Sequence, residues 1–350
     1  MMRLPPFRYR APRTVTEAAR ILAGEGPQAQ FVAGGTDLFP NMKRRQQTPK
    51  VLVGLRGVAD LRRTRGEPAS GLILGSGLTL TEVCEDARVR SHYAGLARAV
   101  RSISTPLLRN TGTIGGNLCL DTRCNYYNQT YEWRQAISFC LKKDGNTCWV
   151  APGSPRCWAV SSSDAAPLLV ALGASVTLLS VAGGGARTRT LPLEDLYRDD
   201  GIDYLGKRPD ELLTDILLPA VNGWRATYWK LRRRGAFDFP VLGVAGCLYF
   251  EGKRVREARI VFGGVASHPR RAREAEAFLA GKEPTEETIR EAASIASRAA
   301  KALDNTDFAM GWRKKMAQVY AERMLRELAG LPIPGGELAQ GPLGAGVYGA

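Results

Sequence analysis

Apolar residues follow two periods along this chain, and together they predict a fold that mixes helices and strands. Short aliphatic runs such as Val51–Leu55 and Ala174–Leu179 are typical of buried strands. Segments with apolar residues three and four positions apart predict helices, the first of which is capped by Thr14 or Thr16. The first 50 residues contain both kinds of segment and predict a small unit of strands and helices.

The pattern changes near Pro219–Gly223, where we place a domain boundary. Beyond it the strands alternate as in an antiparallel meander, at Ala226–Leu231, Val241–Phe250 and Val255–Phe262. Helices are predicted after the meander, at about 270–280, 286–303 and 311–329. Before the boundary, residues 183–223 are interpreted as turns with one strand at Ile216–Leu218. Residues 331–350 are rich in glycine and proline, which predicts a flexible or partner-wrapping tail.

The composition is that of an ordinary soluble protein with a strongly basic balance. The chain has 350 residues, of which 44% are hydrophobic and 24% charged, and its net charge is +15. No apolar run approaches the ~20 residues of a membrane-spanning helix. The basic N-terminus lacks the apolar core of a secretory signal, so we expect a cytoplasmic protein that does not bind membranes.

The positive charge suits either a solvated basic surface or the docking of an acidic redox partner. Nucleic acid is disfavoured as a partner. The chain has no long lysine or arginine block and no helix-turn-helix, zinc-finger or RNA-binding motif.

Two glycine-rich segments are candidates for binding a phosphate-bearing cofactor. The first follows a predicted strand at 30–33 and contributes Ala33, Gly34, Gly35, Thr36, Asp37 and Leu38. The second contributes Thr113, Ile114, Gly115, Gly116 and Asn117. Adjacent glycines let a ligand approach the main chain, whose clustered N–H groups attract anions. The first segment lacks the spacing of a Rossmann turn or a P-loop and could equally be a tight turn. The presence of both favours one shared dinucleotide.

Seven cysteines in a chain expected in the cytoplasm suggest metal binding or buried thiols rather than disulfides. Cys124, Cys140, Cys148 and Cys157 are separated by 16, 8 and 9 residues. Four thiolates suit zinc or an iron–sulfur cluster, although the close ligand pairs of structural zinc sites are absent. Spacing alone leaves buried free cysteines as an alternative and leaves Cys119 as a competing ligand. Cys84 and Cys247 are interpreted as core residues.

These motifs resemble those of the FAD-binding medium subunits of the xanthine dehydrogenase, or molybdenum hydroxylase, family. The resemblance rests on Ala33–Leu38, Gly112–Leu118, Asp164 in Ser-Asp-Ala-Ala-Pro, Glu211–Ile216 and Tyr228-Trp-Lys230. It implies an α+β chain, with a vanillyl-alcohol-oxidase-type (PCMH) FAD domain followed by a CO-dehydrogenase-flavoprotein-like C-terminal domain. It also implies that the glycine segments hold the FAD pyrophosphate and ribityl chain, and that Asp164 and Lys230 line the flavin.

Between the second glycine segment and Asp164 lies an insertion that most such subunits lack. It resembles the insertion in the β subunits of 4-hydroxybenzoyl-CoA reductases, which carries a [4Fe-4S] cluster. The resemblance implies that Cys124, Cys140, Cys148 and Cys157 are the ligands and that Cys119 is not. The domains implied are a FAD-binding domain at 1–220, with two subdomains divided near 55 and an iron–sulfur loop at about 119–160, and an α+β domain at 221–330.

The function implied is electron transfer within a molybdenum-containing aryl-CoA reductase. Ferredoxin would reduce the [4Fe-4S] cluster, and electrons would pass through FAD to a small [2Fe-2S] subunit and a molybdopterin-binding large subunit. The complex would be a dimer of heterotrimers, and no residue of this chain would be catalytic toward the substrate. Two alternatives remain open: the flavin subunit of another molybdenum hydroxylase, and a basic binding protein with a structural zinc held by four cysteines.

Overall fold

The computed structural model describes residues 3–182 and 185–334. Most of the tail predicted at 331–350 therefore lies outside the described residues. The strands are β1 (Arg8–Arg10), β2 (Ala29–Val32), β3 (Val51–Gly54), β4 (Thr64–Glu67), β5 (Gly71–Gly75), β6 (Ser175–Ala182), β7 (Gly185–Pro192), β8 (Leu212–Leu218), β9 (Trp224–Leu231), β10 (Leu242–Glu251), β11 (Arg254–Gly263) and β12 (Arg270–Arg271). The helices are α1 (Val15–Glu25), α2 (Leu38–Lys43), α3 (Leu80–Glu85), α4 (Ala87–His92), α5 (Ala94–Arg101), α6 (Pro106–Arg109), α7 (Ile114–Leu118), α8 (Tyr131–Ala136), α9 (Ala165–Leu172), α10 (Arg273–Leu279), α11 (Glu286–Ser297) and α12 (Met310–Ala329).

The first sheet is small and parallel, with strand order β1-β3-β2. Helix α1 precedes β2 and is capped by Thr14, whose hydroxyl accepts a hydrogen bond from the Glu17 backbone N–H at 3.1 Å. The strand over 30–33 predicted from the sequence is β2, shifted by one residue. Because β2 ends at Val32, it delivers the first glycine segment to the edge of the sheet.

The second sheet has five strands in the order β4-β5-β8-β6-β7, and all neighbours are antiparallel. The sequence predicted turns and a single strand, Ile216–Leu218, within residues 183–223. The structure has a second strand there, β7, and β8 begins earlier than predicted, at Leu212. Strand β7 is an edge strand whose described side chains are almost all exposed. An exposed strand shows no alternation of apolar and polar residues, so its sequence carries no strand signal.

The third sheet is antiparallel, with strand order β12-β11-β10-β9, and confirms the predicted meander. Helices α11 and α12 pack together, and α12 lies against β10. The helix predicted over 286–303 ends earlier, at Ser297. Ala300 and Ala302 are nevertheless buried in the same core, so their apolar character reflects tertiary packing rather than a continuing helix.

Helix α9 is buried along its whole length and joins the second and third sheets. The same hydrophobic core contains Leu178 of β6 and Val261 of β11. Asp164 is the residue that precedes α9, and its side chain is therefore held at the junction of the two sheets. This position brings it close to β9.

The cysteine-bearing insertion contains one short helix, α8, and otherwise irregular chain. Its ends are held together by Arg123 and Val160, which exchange two backbone hydrogen bonds of 2.8 Å. Among the described residues, no helix combines the length and apolar character needed to cross a membrane.

Candidate functional site

The two glycine segments lie against each other although they are almost 80 residues apart in the chain. A Cβ atom built on Gly34 would lie 2.6 Å from the carbonyl carbon of Thr111 and 2.9 Å from Gly112 Cα. A Cβ on Gly112 would in turn lie 3.3 Å from Thr36 Oγ1. The close approach of the two backbones therefore requires glycine at position 34.

The first glycine segment presents free backbone donors. The N–H groups of residues 34–38 donate no hydrogen bond to any described part of the chain. Gly35 has φ +70°, a left-handed conformation that glycine adopts at little cost. Several N–H groups on consecutive residues form a concave anion-binding surface, which suits a pyrophosphate.

The second glycine segment is the first turn of α7 rather than an open loop. Its N–H groups are used within the protein: Ile114 donates to Leu78 O and Gly115 to Ser76 O, both at 2.9 Å, while Gly116 donates to Thr113 Oγ1 at 3.1 Å. The expectation of clustered free amides thus holds for the first segment and not for this one.

The two central glycines of this segment differ in their surroundings. A Cβ on Gly115 would meet Ser76 Cβ at 2.6 Å and Ser76 O at 2.8 Å, so this glycine is needed for packing. Gly116 is exposed, and a Cβ there would meet only Thr113 Oγ1, at 3.0 Å. Gly116 is therefore the member of the pair that leaves room for a ligand.

Asn117 is hydrogen-bonded to the two residues that flank Asp164 in the chain, and Asp164 itself pairs with Lys230. Asn117 Oδ1 accepts hydrogen bonds from Ser163 Oγ at 2.7 Å and from the Ala165 N–H at 3.4 Å. Asp164 Oδ2 accepts a hydrogen bond from Lys230 Nζ at 2.9 Å. The structure therefore brings together three candidate residues from α7, the start of α9 and β9.

The Asp164–Lys230 pair is nearly inaccessible to solvent. Burial raises the pKa of Asp164 above its ordinary value, although Lys230 opposes that shift, and burial lowers the pKa of Lys230 against the opposing effect of Asp164. Tyr228 donates a hydrogen bond to Asp164 Oδ1 at 2.7 Å, and burial raises its pKa well above the usual range. The pair supplies fixed, oriented polar groups near Asn117 of the second glycine segment.

Cys124, Cys140, Cys148 and Cys157 are all buried and line one cavity. Cys119 does not line it and packs instead against the main core. Cys84 and Cys247 are buried in that core, as expected. The fold therefore separates the four predicted ligands from the three other cysteines.

The protonation of these thiols follows from their burial. Burial raises the pKa of Cys124 to about 12 and that of Cys157 to about 11, and it raises the pKa of Cys140 as well. Without a metal, Cys124, Cys140 and Cys157 are therefore protonated at neutral pH. A metal bound by their thiolates would displace the protons.

Four sulfur ligands suit a soft metal or an iron–sulfur cluster. In the described part of the chain, no three His, Cys, Asp or Glu side chains converge where a single ion could sit. The cavity volume is about 10 Å³, roughly the space of one water molecule. The four sulfur ligands thus suit an iron–sulfur cluster, but the cavity is small, and holding four irons would require its walls to move apart.

A roomier cavity, of about 320 Å³, lies between α5 and β9. Its lining includes Tyr93, Trp224 and Glu327 and none of the candidate site residues. The glycine segments and the cysteines remain the candidate cofactor sites, because they carry groups that bind cofactors and this larger cavity contains none of them.

The comparison with protein families shows which family the chain belongs to. Residues 5–221 match the FAD binding domain in molybdopterin dehydrogenase, and residues 226–328 match the CO dehydrogenase flavoprotein C-terminal domain. The chain belongs to the FAD-binding medium subunits of the molybdenum hydroxylase family. The expected family, fold class and assignment to an oxidoreductase are thereby confirmed, as is the FAD domain.

Relatives of this flavin subunit cover most of its length. It is 33% identical to the aldehyde oxidoreductase FAD-binding subunit of Escherichia coli (strain K12), over 78% of this chain and 86% of that protein. It is 26% identical to the nicotine 6-hydroxylase medium subunit of Paenarthrobacter nicotinovorans, over 93% of this chain and 98% of that protein.

A solved structure of CO dehydrogenase from Oligotropha carboxidovorans superimposes on the flavin subunit with a TM-score of 0.76 and 25% identity, covering 95% of this chain and 100% of that one. Quinoline 2-oxidoreductase from Pseudomonas putida 86 gives a TM-score of 0.72 at 25% identity, with coverages of 94% and 99%. The fold therefore agrees with these enzymes throughout both domains.

Sequence reasoning missed Arg123, which joins the insertion to the first glycine segment. Its guanidinium forms an ion pair with Asp37 and lies 4.4 Å from the centre of the Phe239 ring. Because Arg123 immediately precedes Cys124, it links the first glycine segment to the residues that line the cysteine cavity. The sequence offered no signal for it, since arginines are common throughout this basic chain.

Proposed function

We propose that this chain is the FAD and [4Fe-4S] electron-transfer subunit of a molybdenum-containing aryl-CoA reductase that resembles 4-hydroxybenzoyl-CoA reductase. The observation that supports the cluster is that Cys124, Cys140, Cys148 and Cys157 are buried and line one cavity, apart from the other cysteines. The FAD-binding part would occupy residues 1–220, with its subdomains divided near 55 and the cluster loop at about 119–160. The C-terminal domain would occupy 221–330.

In this proposal the free N–H groups of the first glycine segment bind the FAD pyrophosphate. The second segment, Thr113–Asn117, closes the cradle and leaves space at Gly116. Asp164 and Lys230 orient the flavin, and their mutual ion pair keeps both polar groups fixed in a water-excluded position. FAD, when bound, exchanges electrons between one-electron and two-electron carriers, while the protein positions it and tunes it.

The proposed partners follow from this electron path. A ferredoxin would supply single electrons to the cluster, and a small [2Fe-2S] subunit would connect the flavin to a molybdopterin-binding large subunit. The complex would be a dimer of heterotrimers. The net charge of +15 supports the approach of an acidic carrier, because opposite charge accelerates encounter. No residue of this chain is assigned to acid, base or nucleophilic chemistry on the aryl substrate.

A second candidate is the flavin subunit of a molybdenum hydroxylase that oxidises an aldehyde or heterocycle. The observation that favours it is the 33% identity to an aldehyde oxidoreductase FAD-binding subunit. In that case the same flavin site would carry electrons away from the molybdenum subunit rather than toward it.

The deciding experiment is anaerobic purification of the chain with its co-expressed partner subunits, followed by quantitation of iron, sulfide, flavin and molybdenum. The cluster proposal expects four irons and four sulfides beyond those of the small subunit. Zinc in place of iron on this chain would contradict it and favour a structural zinc.

The same preparation distinguishes the two enzymes. It is assayed for dehydroxylation of 4-hydroxybenzoyl-CoA with reduced ferredoxin, and for oxidation of an aromatic aldehyde with an artificial electron acceptor. Activity in the first assay supports the aryl-CoA reductase. Activity in the second assay alone would overturn that assignment in favour of the hydroxylase.

A further inference from the structure

Lys142 is a buried cation in the wall of the cysteine cavity. It lies in sequence between Cys140 and Cys148, lines the same cavity, and its side chain is only 6% exposed. Its ammonium group donates hydrogen bonds to Asp121 Oδ1 and Thr122 Oγ1, both at 2.8 Å. A third bond, of 2.5 Å, goes to Gly201 O. All three donor positions of the ammonium group are therefore occupied by protein acceptors.

The surroundings prevent the ammonium group from turning out to solvent. Its nitrogen lies 4.9 Å from the centre of the Tyr127 ring and 5.3 Å from that of Tyr204. Asp121 is itself fixed, since its Oδ2 accepts hydrogen bonds from Tyr127 OH at 3.0 Å and from Gln47 Nε2 at 3.1 Å. The charge of Lys142 thus has one defined position.

The neighbouring residue provides a contrast. Lys143 is next in the chain, its side chain is 35% exposed, and its ammonium group pairs with the exposed Asp144 at 3.2 Å. Water and salt screen an exposed charge, whereas a buried charge acts through a lower effective dielectric constant. The two lysines carry the same charge, and only Lys142 lines the cavity.

We infer that the fixed positive charge of Lys142 raises the reduction potential of the cluster held by the four cysteines. The inference rests on the proposed function, because it requires that cluster. Reduction adds one electron, taken from the titrant, and therefore one negative charge within the cavity. A fixed cation in the cavity wall stabilises the more negative state. Net charge and hydrogen bonding around a cluster are known determinants of its potential.

The test compares Lys142→Met, Lys142→Arg and Lys143→Met in the complete complex, purified without oxygen. The midpoint potential of this cluster is measured by titration with dithionite, monitored by low-temperature electron paramagnetic resonance. We expect a more negative potential in Lys142→Met with the cluster signal retained, a potential near the wild-type value in Lys142→Arg, and no change in Lys143→Met. A general loosening of the loop would not be corrected by arginine.

Asp121→Asn provides an independent measurement if Lys142→Met loses iron. Removing the carboxylate leaves the ammonium charge uncompensated, so the potential is expected to rise. Equal midpoint potentials of the cluster in the wild type, in Asp121→Asn and in every lysine variant that retains the cluster would overturn this inference and leave the proposed function standing. A wild-type chain without iron would contradict the proposed function as well, and the iron assay reports that outcome separately.

Discussion

The proposed flavin cradle, formed by the two glycine segments Ala33–Leu38 and Thr113–Asn117, lies next to the cysteine cavity, but the two are built in opposite ways. The cradle is made of main chain: free N–H groups on the first glycine segment and close backbone contact between Gly34 and Thr111. The cavity is made of side chains, with four thiols brought together by a loop that contains one short helix. The first site depends on the absence of side chains, and the second depends on four particular ones.

This difference determines how each site responds to substitution. A backbone site is disrupted by any added volume, because the atoms in contact belong to the main chain and cannot rotate away. A side-chain site tolerates changes around it as long as the ligands remain. Arg123 connects the two, since it pairs with Asp37 in the cradle and immediately precedes Cys124, which lines the cavity.

Gly34→Val is expected to have the largest effect, because it affects the backbone site and the fold together. Its Cβ would lie 2.6 Å from the Thr111 carbonyl carbon and force the glycine segments apart. Overpacking of this kind costs about 1–3 kcal/mol or more. We expect loss of bound flavin, measured by absorbance, and a lower melting temperature. Gly24→Val is the matched control, because a Cβ at Gly24 would meet no atom within 4 Å, and it should retain the bound flavin. Full flavin content in Gly34→Val would contradict the cradle.

Cys140→Ser is expected to abolish one site and leave the other. A serine hydroxyl does not replace a thiolate ligand well, so the cluster signal in electron paramagnetic resonance should disappear while flavin absorbance stays unchanged. Cys119→Ser is the control, because Cys119 does not line the cavity. An unchanged cluster signal in Cys140→Ser, or its loss in Cys119→Ser, would show that the ligand set is wrong.

Asp164→Asn should lower the free energy of unfolding, because it removes one partner of the buried ion pair at the junction of the second and third sheets. Removing one partner of a buried ion pair costs about 3–5 kcal/mol. Burial lowers the folded-state pKa of Lys230, and losing the Asp164 charge lowers it further. The unfolded chain then binds more protons than the folded one, so the stability of the variant rises with pH up to the ordinary lysine pKa of about 10.4.

Urea unfolding of the wild type and of Asp164→Asn at several pH values, with excess FAD, measures this slope. The double variant Asp164→Asn with Lys230→Met removes both charges and is expected to recover part of the lost stability. A variant whose stability does not rise with pH more steeply than that of the wild type would refute the role of Lys230 as a buried, uncompensated cation.

Arg123→Gln is expected to have the smallest effect, and it tests whether the two sites are coupled. The side chains of Arg123 and Asp37 are 12% and 26% exposed, so their pairing is worth more than an exposed ion pair of about 0–1 kcal/mol. We expect weaker FAD binding in Arg123→Gln and in Asp37→Asn, with little additional loss in the double variant.

Arg198→Gln provides the comparison for Arg123→Gln, because Arg198 and Asp203 form an exposed pair with 52% and 67% accessible side chains. FAD affinity is measured by fluorescence titration of flavin-depleted protein. Strictly additive losses in the Arg123 and Asp37 variants would argue that the ion pair does not hold the first glycine segment.

The sequence predicted regular elements well where burial imposes a period. The meander over β9, β10 and β11 alternates in the expected way, and the cap of α1 is Thr14, one of the two threonines predicted for it. It failed at β7, whose exposed residues have no period, and at the end of α11, where the alanines that follow are buried without being helical.

For the candidate site, local sequence was sufficient to find the glycine segments and the cysteines, because both are unusual in composition. Local sequence could not show which of these residues faces a ligand and which is needed for packing. Gly115 packs against Ser76 rather than facing a ligand, and the amides of the second segment are already bonded within the protein. Those facts depend on which distant backbone lies opposite.

The amino-acid sequence by itself determined the kinds of groups available here: main chain without side chains where glycines adjoin, and five thiols between residues 119 and 157. Only the tertiary structure decided that the glycine segments touch, that Cys119 lies apart from the other four, and that Lys142 is buried while Lys143 is not. The reason is physical. Chemical identity is a property of one residue, whereas burial, screening and contact depend on the segments that fold against it.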